Sequence, residues 1–153
     1  MRWHFIGHLQ RNKVNRVRPS TSVLHSLDSE RLAIAWAREQ PCPPAFVQVD
    51  LAAEPQKGGV APGDLPALLE ACAELGVEVP GLMAIPPKGE TPEDARPWFE
   101  RLRLVRDDVV RDHPGVTGLS MGMTDDFEVA VEEGASVLRV GRAILEPFED
   151  DED

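Results

Sequence analysis

Apolar positions along the chain follow two alternating periods: short β-branched runs, and longer stripes at helical spacing. Residues 3–7, 22–26, 45–49, 81–85, 118–121 and 137–140 read as six strands. A short basic helix is expected over 9–17. A second helix, capped by Asp28 or Ser29, places Leu32, Ala35 and Trp36 on one face. Asp64 caps a third, with Leu65, Leu68, Leu69, Cys72 and Leu75 at helical spacing. Thr91-Pro92-Glu93 opens the longest, whose inner stripe is Trp98, Leu102, Val105 and Val109. Thr124 caps a fifth that carries Phe127, Ala130 and Val131 inward and stops at Gly134. Pro86-Pro87 closes the fourth strand because proline cannot donate to a ladder.

Strands alternating with helices predict an α/β fold with a parallel sheet. Six β/α units fit either an open doubly wound sheet or part of an eight-stranded barrel, and the pattern does not separate the two. In both, the chemistry collects at the C-terminal ends of the strands.

Composition narrows the function. The 153 residues are 42% hydrophobic and 28% charged, an ordinary soluble balance with room for one domain. A net charge of −11 excludes a general nucleic-acid binder. No apolar run is long enough to span a membrane, and Met1-Arg2-Trp3-His4 is not a signal-peptide start. Cys42 and Cys72 form neither a metal motif nor a disulfide framework, so a cytoplasmic setting is expected, with both thiols acting as small buried hydrophobes. Residues 146–153 form an acidic tail, with six acids in eight positions, appended to a domain over 1–145.

Gly118-Leu119-Ser120-Met121-Gly122 fits the G-x-S-x-G nucleophile elbow, but His4, His8, His25 and His113 all precede Ser120, whereas that hydrolase order needs a later histidine. The turn is better read as structural or anion-holding. Gly141-Arg142 has the same potential, with a generic strand-end turn as the competing reading. Arg139 interrupts an apolar strand; alternation with Leu138 and Val140 points it inward, where it needs a ligand or a buried carboxylate. The histidines lack metal-ligand spacing, and Pro55-Gln56-Lys57-Gly58-Gly59 lacks the order of a nucleotide phosphate loop.

Several of these stretches together resemble one family. Trp3-His4-Phe5-Ile6-Gly7-His8-Leu9-Gln10-Arg11-Asn12-Lys13 is similar to the WHFIG-x-LQ-x-NK signature of the pyridoxal-phosphate homeostasis (YggS/PROSC) proteins. Gly81-Leu82-Met83-Ala84-Ile85 resembles their GLM-x-I segment, and Lys57-Gly58-Gly59 their K-x-G loop. Leu119-Ser120-Met121-Gly122-Met123-Thr124-Asp125-Asp126-Phe127-Glu128 resembles LSMGMS-x-DFE, and Val137-Leu138-Arg139-Val140-Gly141-Arg142-Ala143-Ile144 resembles VRIG-x-x-IFG. The resemblance runs from Met1 to about Leu145.

It implies an alanine-racemase-like TIM-type barrel that binds pyridoxal 5′-phosphate and buffers or delivers it, without turnover of its own. Carried over, Ser120 and the Gly141-Arg142 turn would hold the phosphate, and Arg139 would face the pyridine nitrogen, keeping it unprotonated. The chain matches strands three to eight of such a barrel. Absent are roughly 70–90 residues, two strand–helix units, including the strand that carries the Schiff-base lysine and a G-E-N-Y-type segment. Lys13, Lys57 and Lys88 do not match the catalytic position, so no catalytic residue is assigned. Further departures are Thr124 for serine, Arg142 where many members have threonine, and Leu145-Glu146 for phenylalanine-glycine. A second reading is a barrel remnant acting as a protein-interaction module; a third is a racemase or decarboxylase of the same fold. Exposed strand edges predict a homodimer or completion of the barrel by another chain.

Overall fold

Five segments of apolar, β-branched or small residues pair side by side, all parallel, in chain order: β1 His4–Phe5, β2 Val23–Leu27, β3 Ala45–Gln48, β4 Gly81–Met83 and β5 Gly118–Ser120. The computed structural model describes residues 1–54 and 57–145; the acidic tail lies outside the described residues. Consecutive parallel neighbours require a crossover each time, and helices supply most of them: α1 Val14–Val17, α2 Glu30–Trp36, α3 Leu65–Glu74 and α4 Arg96–Val109. After β5 come α5 Phe127–Glu132 and α6 Arg142–Leu145.

Alternation along each strand sorts the side chains onto two faces. Leu24, Ala45, Val47, Leu82 and Leu119 face the helices, where they bury Leu32, Trp36, Leu65, Leu69, Phe99 and Leu102 in the main core. Val23, Phe46 and Met83 pack on the opposite face, with Ile85 and Val137 against them. Gly81 is required where β4 meets β5: a Cβ there would lie 2.1 Å from the Gly118 carbonyl oxygen.

Several expectations need correction. The sixth strand, expected over 137–140, is a single bridge from Val137 to Ser120, because Arg139 turns its side chain to backbone carbonyls of the neighbouring strands. The helix expected over 9–17 is a turn of 3-10 helix, Arg11–Lys13, followed by one turn of α-helix. In α5, whose N-cap is Asp126 rather than Thr124, the buried residues are Val129 and Ala130, Phe127 is half-buried and Val131 is exposed, so the inner face is centred on Val129 and Ala130. In α4, Phe99 joins Leu102 and Val109 in the core, while Trp98 and Val105 are half-buried at its margin. Thr91 caps a 3-10 turn, Pro92–Ala95, that leads into α4 at Arg96 rather than opening α4 itself, and Asp94 accepts from the Thr91 backbone N–H at 2.8 Å. No helix among the described residues is long and apolar enough to cross a membrane. Both cysteines are free, and burial pushes the Cys72 thiol up to about 11, which leaves it a packed apolar group.

Candidate functional site

A polar cluster sits on the helix-free face of the sheet, running from the start of β1 and the middle of β2 to the C-terminal end of β5. Ser120, the last residue of β5, is fully buried. Its Oγ lies 2.8 Å from His25 Nδ1, and His25 Nε2 lies 2.9 Å from His4 Nδ1. The His25 ring stacks on Phe46 of β3, centroids 4.7 Å apart and planes 12° from parallel. Burial, with His4 and Arg139 nearby, lowers the His25 pKa to about 4, so the ring is neutral at physiological pH.

Arg139 closes the cluster. One guanidinium nitrogen donates to the Ser120 carbonyl at 2.7 Å and to Ser120 Oγ at 3.1 Å; the other donates to the Ala84 carbonyl at 3.0 Å. Burial lowers its pKa from the usual value, and Asp126 opposes the shift. The inward direction read from alternation is what the geometry shows, and its partners are backbone carbonyls and a hydroxyl rather than a carboxylate. Arginine has five N–H groups, so these three bonds leave donors for a ligand. Arg139 N–H also donates to the Gly122 carbonyl at 2.9 Å, tying this segment to the turn after β5.

That turn is held by packing. Gly122 has φ +90, and a Cβ there would come within 2.5 Å of the Ala130 Cβ. Gly141 is different: a Cβ would meet nothing within 4 Å, so its backbone is open to a ligand. Arg142 is exposed, and its guanidinium pairs with Asp125. Ser120 and Arg139 are thus brought into contact, whereas Arg142 is engaged with a surface carboxylate. Thr124, read from sequence as a helix cap, instead presents Oγ1 3.5 Å from the Ala143 N–H, beside the Gly141 turn. The clue available beforehand was a hydroxyl two residues beyond a turn glycine.

His25 was not assigned a role from sequence. The chain-order argument against a nucleophile elbow is incomplete, because a histidine does reach Ser120. The stronger objection is structural. Ser120 is buried, it accepts from a guanidinium, and its backbone is not in the left-handed region; Ala53 is the only such non-glycine residue among those described. None of the three lysines contacts Arg139 or Ser120. Lys57 Nζ is 2.7 Å from the Glu54 carboxylate and 3.1 Å from the Pro86 carbonyl, while Lys13 and Lys88 are exposed. Among the described residues no His, Cys, Asp and Glu side chains group to hold a metal ion.

A curved parallel sheet of five strands, with helices on one face and a polar cluster on the other, defines an α/β protein. The solved structure of PipY from Synechococcus elongatus PCC7942 with PLP bound is similar, with a TM-score of 0.80, 34% identity, and coverage of 92% of this chain and 68% of that one. A lysine/ornithine decarboxylase from Vibrio vulnificus shares the fold at a TM-score of 0.70 and 15% identity, over 92% of this chain and 44% of its own. A pyridoxal phosphate homeostasis protein of Aquifex aeolicus (strain VF5) is 44% identical over 151 residues, which is 95% of this chain and 66% of that protein. The chain belongs to the pyridoxal phosphate homeostasis protein family, and spans just under two thirds of that relative's length. No family model matches it.

Proposed function

We propose that the chain binds pyridoxal 5′-phosphate without a covalent anchor, as the cofactor-holding part of a homeostasis protein. The observation that carries the reading is the half-buried Arg139 guanidinium, held against Ser120 and Ala84 with donors to spare, two residues before the open backbone of Gly141. The donor set fits the group: a fixed cation for a ring nitrogen, and hydroxyls of Ser120 and Thr124 with the Gly141-Arg142 turn for the phosphate end. When bound, the cofactor supplies an aldehyde that condenses with amines. Arg139 opposite its nitrogen keeps that nitrogen unprotonated and weakens it as an electron sink, which suits storage or delivery over turnover. This favours a carrier over the racemase or decarboxylase reading.

The finer architecture belongs to the same proposal. Six β/α units, with the Val137 bridge standing for the last strand, correspond to strands three to eight of an eight-stranded barrel. The edge at β1, flanked by exposed Trp3 and Ile6, and the edge at Val137, flanked by exposed Leu138, then face the gap. Such open strand edges favour pairing with a further strand, from a second copy or another chain. The whole reading is tested by titrating pyridoxal phosphate into the protein and following its absorbance. Saturable binding that weakens at least tenfold in Arg139→Gln supports it; no binding, or binding indifferent to that change, overturns it. Sedimentation as a stable monomer would overturn the edge pairing alone.

A further inference from the structure

A second cleft opens at the same end of the sheet, beyond β1 and β2. Its volume is about 720 Å³, and its walls come from the segments that follow β1, β2 and β3. Arg11 lines it from the 3-10 turn after β1 and Arg31 from the first turn of α2, and Gln10 and Asn12 also line it. Among the described residues neither guanidinium takes part in an ion pair or a side-chain hydrogen bond, in contrast to Arg18, Arg96, Arg103 and Arg142.

The setting is electrostatically polarised. The chain carries −11 overall, yet through residue 31 it has six lysines and arginines against two acids. Arg11 and Arg31 outnumber Asp28, the one carboxylate of the lining, and a concave surface with an excess of one sign of charge concentrates ions of the other. The floor is built rather than loose. Leu9 and Leu32 are buried beneath it, and Gln48 Nε2 fixes the glycine wall by donating to the Lys57 carbonyl at 2.8 Å and the Gly58 carbonyl at 3.2 Å. Asp28, little exposed, sits in the same cleft, 3.6 Å from His8 Nδ1.

We infer that this cleft binds a small metabolite with one anionic group, a carboxylate or a phosphate, and a hydrogen-bond donor such as a hydroxyl at its other end. Arg11 and Arg31 take the oxyanion, since a guanidinium fork matches both chemistries. The Asp28 carboxylate repels a second anionic group and accepts from the donor. The volume suits a metabolite and greatly exceeds the needs of a bare ion. The inference does not depend on cofactor binding at Arg139.

The test uses the intact chain and two probes, lactate and glycerol 3-phosphate, with glycerol as the neutral control. Amide NMR is read at Asn12, Gly58 and Gly59, and separately at Gly122 and Gly141. The expected result is saturable shifts at the first group with at least one probe and none with glycerol. Affinity should fall at least tenfold in the double variant Arg11→Gln/Arg31→Gln and by less in Arg11→Lys/Arg31→Lys. Both side chains are exposed, so the melting temperature should not move. Shifts confined to Gly122 and Gly141 would overturn the cleft while leaving the cofactor reading intact. Absence of saturation with both probes, or equal affinity in the glutamine variant, would also overturn it.

Discussion

His25 on β2 and Ser120 on β5 are hydrogen-bonded at 2.8 Å although two strands stand between them. In a flat sheet three strand spacings amount to about 14 Å, and side chains projecting from one face could not close that distance. The contact therefore measures the curvature of the sheet: β1 to β5 form an arc, with the polar cluster on its inner side. Arg139 extends the same cluster across β4 and β5 through Ala84 and Ser120. One consistent direction of donation runs from Arg139 to Ser120, on to His25 and then to His4, and it requires a neutral His25.

That requirement makes stability depend on pH. The His25 pKa falls from 6.5 to about 4 on folding, chiefly through burial. Between those values the unfolded chain binds the extra proton, so stability rises with pH across this window. The contribution is complete above pH 6.5 and is lost as pH falls toward 4. Thermal melts at pH 7.5, 6.5, 5.5 and 4.5 should show a plateau followed by a decline, and His25→Gln should flatten the decline. A wild-type melting temperature that is constant from 6.5 to 4.5 would contradict the neutral ring.

Ser120→Ala removes the acceptor of one Arg139 bond and the partner of His25 Nδ1. A buried polar group left unpaired costs about 1–3 kcal/mol, to be read from the urea midpoint. Any background of ester hydrolysis should not change. A clear loss of hydrolysis would mean that the buried hydroxyl acts as a nucleophile after all.

Gly81→Ala should be far more damaging than Gly115→Ala. The new methyl at Gly81 would overlap the Gly118 carbonyl of the adjacent strand, which cannot move without breaking the β4–β5 pairing, whereas Gly115 has open space. Overpacking of this kind costs about 1–3 kcal/mol or more. Equal melting temperatures for the two variants would show that the strands separate more easily than their register implies.

The parts of this molecule that were legible in the sequence are those governed by local pattern. The short β-rich run 45–49 located β3, which is buried on both faces, and the stripe Leu65, Leu68, Leu69, Cys72 located the inner face of α3, because burial on one side of a helix imposes a period. Alternation turned Arg139 inward. What escaped depends on curvature and on which positions of an apolar run are buried. His25 and Ser120 are 95 residues apart, and no local signal says that β2 and β5 face each other across an arc. Val131 was misplaced because Val129, Ala130 and Val131 are consecutive apolar positions, and a helix with one buried face covers only part of such a run. The Arg142 side chain pairs with an aspartate 17 residues earlier in the chain, a contact that no local pattern signals. The family resemblance rested on whole motifs rather than single contacts, and so was insensitive to these errors.

The cofactor reading leads to a further expectation about the lysines. Lys57 is the least exposed of the three, but its ammonium is held by the Glu54 carboxylate and the Pro86 carbonyl. Forming a covalent link there would require deprotonating an ion-paired amine, and Lys13 and Lys88 lie out in solvent. With Arg139, the Ser120 and Thr124 hydroxyls and the Gly141 turn as non-covalent holders, binding rests on charge and hydrogen bonds in a wet, partly open site, so raising salt should weaken it. Borohydride added to the complex, followed by peptide mass mapping, should give scattered, substoichiometric labelling of lysines. Stoichiometric labelling of Lys57 alone would show that its ion pair opens to the cofactor and that this chain carries an anchoring lysine.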